Sequence, residues 1–357
     1  MNTLFLKKLD QTIGGLLADM LPPVPVRHPD KPPKQLLFIR PGGIGDAVLL
    51  APVLQAVSSS YSVSVDILAE SRNCGIFELC PAARYVYRYD NPGEFFACIK
   101  KKYDIVIDTE QWHRLSAVIA RLIRSRLKIG FATNNRKRLF SHTVPYSHHE
   151  YETFSFYHLL SPLGLPVPDR INTPFLTLPD GANTKAEALL APLGSKRFVA
   201  IFPGASIPER RWGDKNFSTV SAELNRLNLP VVIVGGREDR ESGSRILQNI
   251  QGINLAGKTS LAESAAVLAR ALLLISGDSG VLHMAAGLDI PTISLFGPGI
   301  SEKWAPRGGK HIVINHHVEC SPCTRFGYTS PCPRRARCIQ DITPHEVMDA
   351  VLSLLHD

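Results

Sequence analysis

The side chains best suited to chemistry sit in turns punctuated by glycine. Late in the chain an apolar run, Leu272 to Ile275, stops at Gly277-Asp278-Ser279-Gly280, and a short helix of small residues, Val281 to Gly287, follows. The first N–H groups of a helix lack partners and its amino end is partially positive, so this turn favours an anion, most naturally a phosphate. His283 could donate to such an anion, or be a satisfied core histidine. An earlier turn, Gly42-Gly43-Ile44-Gly45, follows the apolar stretch Leu36 to Ile39 and leads into Asp46. Asp46 could take a proton from a substrate hydroxyl, or simply cap the helix that follows.

Two more loops hold charge at strand ends. Between Phe202 and Lys215 stand the hydroxyl of Ser206 and the cations Arg210, Arg211 and Lys215, a donor set suited to a pyrophosphate; the plain alternative is a solvated basic loop with Trp212 packing beneath it. In Gly235-Gly236-Arg237-Glu238-Asp239-Arg240-Glu241, Asp239 or Glu241 could hold ribose hydroxyls, although acidic residues are favoured in a first helical turn anyway. The tetrapeptide at Ser279 also surrounds the nucleophile of trypsin-like proteases. Those are β-barrels, and this turn lies in an alternating strand–helix pattern, so hydrolysis is a minor reading. The turn at Gly42 is not G-x-G-x-x-G, which puts a nicotinamide-dependent oxidoreductase last.

Cys320, Cys323, Cys332 and Cys338 fall within nineteen residues. They read either as a tetrahedral structural metal site or as reduced thiols. Arg121, Arg124, Arg126, Lys128, Arg136, Lys137 and Arg138 could face an anionic acceptor or form a solvated surface. The formal charge of +8 fits either.

The elements that must position these residues alternate. Hydrophobic residues at 44% and charged residues at 20% describe a globular protein with a core, and the length of 357 residues allows two domains. No apolar run reaches the span of a membrane helix and no signal-peptide layout is present, so a cytoplasmic protein is expected. Residues 1–34 read as an amphipathic helix over 4–21, docked on the protein or lying on a membrane, followed by a proline-rich linker. Residues 35–175 and 176–342 each alternate strands and helices, giving two Rossmann-like doubly wound domains with a cleft between their strand ends. Residues 320–338 form the Cys-rich segment and 343–357 a last helix.

Three blocks in this order, Arg40 to Pro52, Pro203-Gly-Ala-Ser with Arg210-Arg-Trp212, and Gly277 to Ala286 with Phe296-Gly-Pro298, resemble the family 9 glycosyltransferases, the ADP-heptose:lipopolysaccharide heptosyltransferases. The resemblance runs from about Leu36 to the C-terminus. It implies an α/β GT-B fold and transfer of a heptose, with inversion, from a nucleotide-sugar donor to an anionic glycolipid acceptor. It makes Asp46 the base, with Gly42, Gly43 and Gly45 as its loop. It makes Ser206, Arg210, Asp239, Asp278, Ser279, Gly280 and His283 donor contacts, and Lys215 joins them on charge. Arg210 stands where lysine is frequent, and Ser279 where some members have threonine. No Asp-x-Asp pair occurs, so catalysis is expected to need no metal or other cofactor, and no nucleic-acid partner is expected. Peripheral contact with the inner membrane is a further expectation.

Overall fold

The computed structural model describes residues 10–27, 31–324 and 328–356. The chain forms two compact units, residues 1–171 and 172–357, so the division falls four residues before the expected one.

In the first unit β1 (Leu36–Ile39), β2 (Val65–Ala69), β3 (Ala83–Arg88), β4 (Lys102–Asp108), β5 (Arg124–Phe131) and β6 (His142–Val144) form one parallel sheet in the order β3-β2-β1-β4-β5-β6. In the second, β7 (Val199–Phe202), β8 (Val231–Ile233), β9 (Gly252–Asn254), β10 (Leu274–Gly277), β11 (Thr292–Leu295) and β12 (His311–Ile314) form another, β12-β11-β10-β7-β8-β9. Read from its own first strand, each sheet has the order 3-2-1-4-5-6. The connection reverses between the first and fourth strands, and there the loops at the carboxyl edge diverge and leave room for a ligand. The central strands are buried on both faces, which is why they read as continuous apolar runs and not as alternating ones.

The helix Ile44–Tyr61 follows β1 and is buried over most of its middle, including Pro52. Trp212 is buried in the second core, where its ring meets Phe217 edge-on at 4.9 Å and its Nε1 donates to Ile342 O at 2.8 Å. The last helix, Pro344–His356, packs on Asp214–Arg226 and on β11 and β12, so it belongs to the second unit. Among the described residues no helix is long and apolar enough to cross a membrane.

Residues 4–9 of the expected first helix lie outside the described residues. From Asp10 the segment runs through a wide turn, Asp10–Gly14, into a short helix, Gly15–Met20, laid against the first unit. Asp10 Oδ1 accepts the N–H groups of Arg114 and Leu115, each at 2.7 Å, and so satisfies the first turn of the helix Arg114–Leu122. Ala18 is fully buried, and Leu17 and Leu21 pack on the same core. Burial pushes the Asp10 carboxyl up, but His113 and the two N–H groups outweigh it and hold it below 3.8. Its stabilising effect is therefore present near neutral pH and is lost as pH falls through and below that value. Asp10→Ala should cost about 1–2 kcal/mol in urea unfolding at pH 7. The cost should shrink toward pH 3; an equal cost at both pH values would show that the charge is not involved.

Candidate active site

In the first unit the β1–β4 register sets Ile39 beside Asp108, which brings Arg40 against the turn after β4. Arg40 is buried, and its guanidinium is nearly saturated. Nε donates to Pro41 O at 2.8 Å and Nη1 to Thr109 O at 2.9 Å, while Nη2 meets Glu110 Oε2 at 3.3 Å and stands 3.7 Å from Asp46 Oδ2. The other Glu110 oxygen accepts the N–H groups of Gln111, Trp112 and His113 at 3.0–3.3 Å. Burial raises the Glu110 pKa, but Arg40 first, then His113, Arg136 and these N–H groups bring it below the ordinary value. Burial likewise opposes the charge on Arg40, and Asp46 followed by Glu110 more than restores it. Deeper still, fully buried Arg136 donates to Asp108 Oδ2 at 2.5 Å.

Asp46 is not the helix cap. Gly43 holds that position and the helix begins at Ile44, because the extended backbone of Gly43 turns the chain into the helix one residue after Gly42, whose φ is +93°. Asp46 sits in the first turn with its side chain 20% exposed. A Cβ on Gly43 would stand 3.0 Å from Asp46 Oδ2, so this glycine leaves the carboxylate open. A negative charge in that turn is favoured by the helix dipole, and Arg40 lies beside it.

In the second unit the corresponding loops meet in the same way. Arg210, after β7, pairs with Asp278, after β10, at 2.9 Å between Nη1 and Oδ2. The Arg210 Nε, the Asp278 Oδ2 (close to Arg210 but not well directed) and the His283 Nδ1 are buried with no hydrogen-bond partner among the described residues. Buried polar groups are rarely left this way, and each costs about 1–3 kcal/mol until satisfied. Burial lowers the His283 pKa to about 4, with the Arg210 charge adding to that and Asp278 opposing it, so the ring is neutral at pH 7. Ser279 caps the helix Gly280–Gly287: its Oγ accepts Leu282 N–H at 3.1 Å and shares a hydrogen bond with Ser276 Oγ at 2.8 Å. That serine hydroxyl is engaged, and neither the fold nor its partners suit a nucleophile. A Cβ on Gly299 would fall 2.5 Å from Asp278 Oδ2, so only glycine fits behind this carboxylate.

Other expected residues lie elsewhere. Ser206 is exposed on the loop after β7. Lys215 is exposed on the first turn of Asp214–Arg226 and lines the groove toward Arg245 and Asn249 instead of the Arg210–Asp278 pair. Asp239 is buried, accepts Gly236 N–H at 2.9 Å and leaves no room for a Cβ on Gly204, which would stand 2.3 Å from its Oδ1. Its observed work is to shape that turn; burial raises its pKa. Glu241 projects into solvent toward Arg245. The expected four-cysteine metal site is not formed: among the described residues no three His, Cys, Asp or Glu side chains make a ligand set. Cys320 and Cys323 are exposed, and burial drives Cys338 up to about 11, which keeps it a thiol. In the basic run, Arg136 is consumed by Asp108, and Lys128 is buried with a pKa lowered to about 8, first by burial and then by Arg121. Arg40 and Glu110 were missed as site residues. The signal for Arg40 is a charged residue directly after an apolar strand, and Glu110 stands two residues past the end of β4.

The sequence model of glycosyltransferase family 9 (heptosyltransferase) matches residues 95–332, about two thirds of the chain. This chain belongs to glycosyltransferase family 9. It is 28% identical over 287 residues to lipopolysaccharide heptosyltransferase 3 of Escherichia coli, covering 73% of this chain and 83% of that protein. It is 24% identical over 332 residues to lipooligosaccharide heptosyltransferase 2 of Campylobacter jejuni, covering 89% and 98%. Among solved structures, E. coli ADP-heptose lps heptosyltransferase II superposes with a TM-score of 0.74 at 20% identity, over 90% of this chain and 98% of the other. The family 9 fold is GT-B, and each of the two doubly wound sheets is one of its Rossmann-like halves. The chain is a glycosyltransferase, as the resemblance implied.

Breaking the Arg40–Glu110 pair should be severe, because it leaves a buried carboxylate without its cation. Arg40→Met should lose about 3–5 kcal/mol of stability. Arg40→Met/Glu110→Gln should recover a large part of it in a double-mutant cycle by chemical unfolding. Strictly additive costs would mean that the two charges do not support one another.

Proposed function

We propose that this enzyme moves a heptose, with inversion, from an ADP-heptose donor to a lipopolysaccharide core acceptor, with no metal ion in the step. The observation that carries the reading is the set of unsatisfied buried groups at Arg210, Asp278 and His283, placed beside the amino end of Gly280–Gly287. A cation, a neutral ring nitrogen and free helix N–H groups at one switch point suit a diphosphate. The relatives' names supply the heptose and the lipopolysaccharide, and one solved neighbour is described with ADP-2-deoxy-2-fluoro heptose.

In this scheme Asp46 removes the proton of an acceptor hydroxyl. The oxygen forms a bond to the anomeric carbon as the bond from that carbon to the diphosphate breaks, and ADP leaves. The charge that grows on the diphosphate is met by Arg210 and by the helix N–H groups at Gly280, in place of a divalent ion. His283, neutral across the working range, donates or accepts without adding charge. Arg40 stands beside Asp46, and its partner Glu110 keeps Arg40 in place. Ser206, Lys215 and Asp239 keep a part only if donor binding moves their loops. The acceptor is an anionic glycolipid, so the enzyme works on the cytoplasmic side of the inner membrane, in contact with its surface. Nucleic acid has no part in the reaction.

Asp46→Asn should lower turnover by about 10²–10⁴-fold while leaving ADP affinity by calorimetry close to wild type. Unchanged turnover would remove Asp46 as the base. Arg210→Ala should weaken ADP binding by roughly ten- to a hundredfold, the size of a lost charge-assisted hydrogen bond. Turnover should survive EDTA, and loss that magnesium restores would overturn the metal-free scheme.

A further inference from the structure

We propose that the N-terminal segment, docked on the first unit, is a landing face for an anionic lipid bilayer, with Ile13, Leu16 and Met20 entering the lipid interface. This deepens the reading of a membrane-borne acceptor and rests on it for its purpose, though not for its physics. The three side chains are 47%, 60% and 71% exposed; Leu16 and Met20, four residues apart, share one face of the helix Gly15–Met20, and Ile13 stands in the wide turn that leads into it. The opposite face is fixed to the protein through buried Ala18 and the packed Leu17 and Leu21.

The segment is also held along its length by polar contacts. Asp10 caps Arg114–Leu122, Asn135 Nδ2 donates to Asp19 Oδ1 at 2.9 Å, Arg121 Nε donates to Pro22 O at 3.2 Å, and Val24 N–H donates to Arg138 O at 3.2 Å. An apolar stripe held at a fixed angle is different from a frayed end, and large exposed apolar stripes mark partner surfaces. Leu122, next to Arg121, is 62% exposed as well.

Charge selects the occupant. Arg121, Lys137 and Arg138 lie on the elements that hold the segment, and exposed Arg124 opens β5 two residues after the helix Arg114–Leu122, while Asp10 is buried and Asp19 is already engaged with Asn135 and Arg138. A second copy of the chain would bring the same cations and be repelled. Anionic headgroups complement them, and an amphipathic helix with a cationic border lies flat at such a surface.

The test is sedimentation of the full chain with vesicles, without donor or acceptor. Phosphatidylglycerol–phosphatidylethanolamine vesicles should bind it and phosphatidylcholine vesicles should not. Ile13→Ser/Leu16→Ser/Met20→Ser should lower partitioning at least about tenfold, with melting temperature unchanged. Arg124→Gln and Lys137→Gln should each lower it about fivefold, and salt should do the same. Wild-type failure to bind anionic vesicles would overturn the proposal. So would equal binding by the triple variant, or a triple variant that dissociates an oligomer and still binds lipid. Because no sugar transfer is read, a failure of the transferase scheme leaves this result standing, and the reverse also holds.

Discussion

In each unit the sheet order forces the loop after the first strand against the loop after the fourth, and in each an arginine from one meets a carboxylate from the other. Arg40 with Glu110 and Arg210 with Asp278 are the same device built twice. The device follows from topology and cost. A parallel sheet buried on both faces must end its strands in loops, and the switch point is the one place along its carboxyl edge where two such loops part. A charge carried to that edge is only partly hydrated, so it is tolerated when an opposite charge arrives from the neighbouring loop.

The two pairs nonetheless differ, and the difference sorts their roles. Every arm of the Arg40 guanidinium is occupied by Pro41, Thr109 or Glu110, and the carboxylate of Glu110 is tied to three backbone N–H groups. This pair is closed and rigid, and what it offers outward is a fixed positive field at Asp46. The Arg210 pair is open: among the described residues Arg210 Nε and His283 Nδ1 have no hydrogen-bond partner, and Asp278 Oδ2 has only the ion pair with Arg210. A closed pair fixes the side chains around it, whereas an open pair keeps polar atoms that a ligand could engage. The unsatisfied groups carry a standing cost in the empty protein, and an arriving diphosphate would relieve it.

Much of this was legible in the sequence because the informative signals were local. The apolar strands, the glycine turns, Asp46 and the Asp278–His283 turn all announce themselves within a dozen residues. What was illegible is long-range or subtractive. Arg40 and Glu110 are 70 residues apart, and only the sheet register joins them. Asp239 reads as a ribose ligand until the backbone of Gly204 and Gly236 is seen to close on it. Lys215 shares a loop with Arg210, but the helix it starts carries it toward Arg245. Strand β9, with Ile253 as its only large apolar residue, has no pattern to detect. The cysteine spacing left a metal site and reduced thiols both open, because spacing along a chain does not fix where sulfur atoms point.

The segment before the family resemblance begins is tied to the same machinery by an unbroken set of contacts. Asp10 satisfies the first N–H groups of the helix Arg114–Leu122. The residues just before that helix, Gln111 to His113, give their N–H groups to Glu110, and Glu110 holds Arg40 beside Asp46. The turn that fixes the candidate base is therefore clamped from both sides, by a carboxylate inside the unit and by one on a segment laid over it. His113 faces both Asp10 and Glu110, so the two carboxylates share its positive charge when it is protonated. A segment that only anchored the protein would not need to cap this particular helix. Its placement makes the order of the surface and the order of the site parts of one hydrogen-bonded structure.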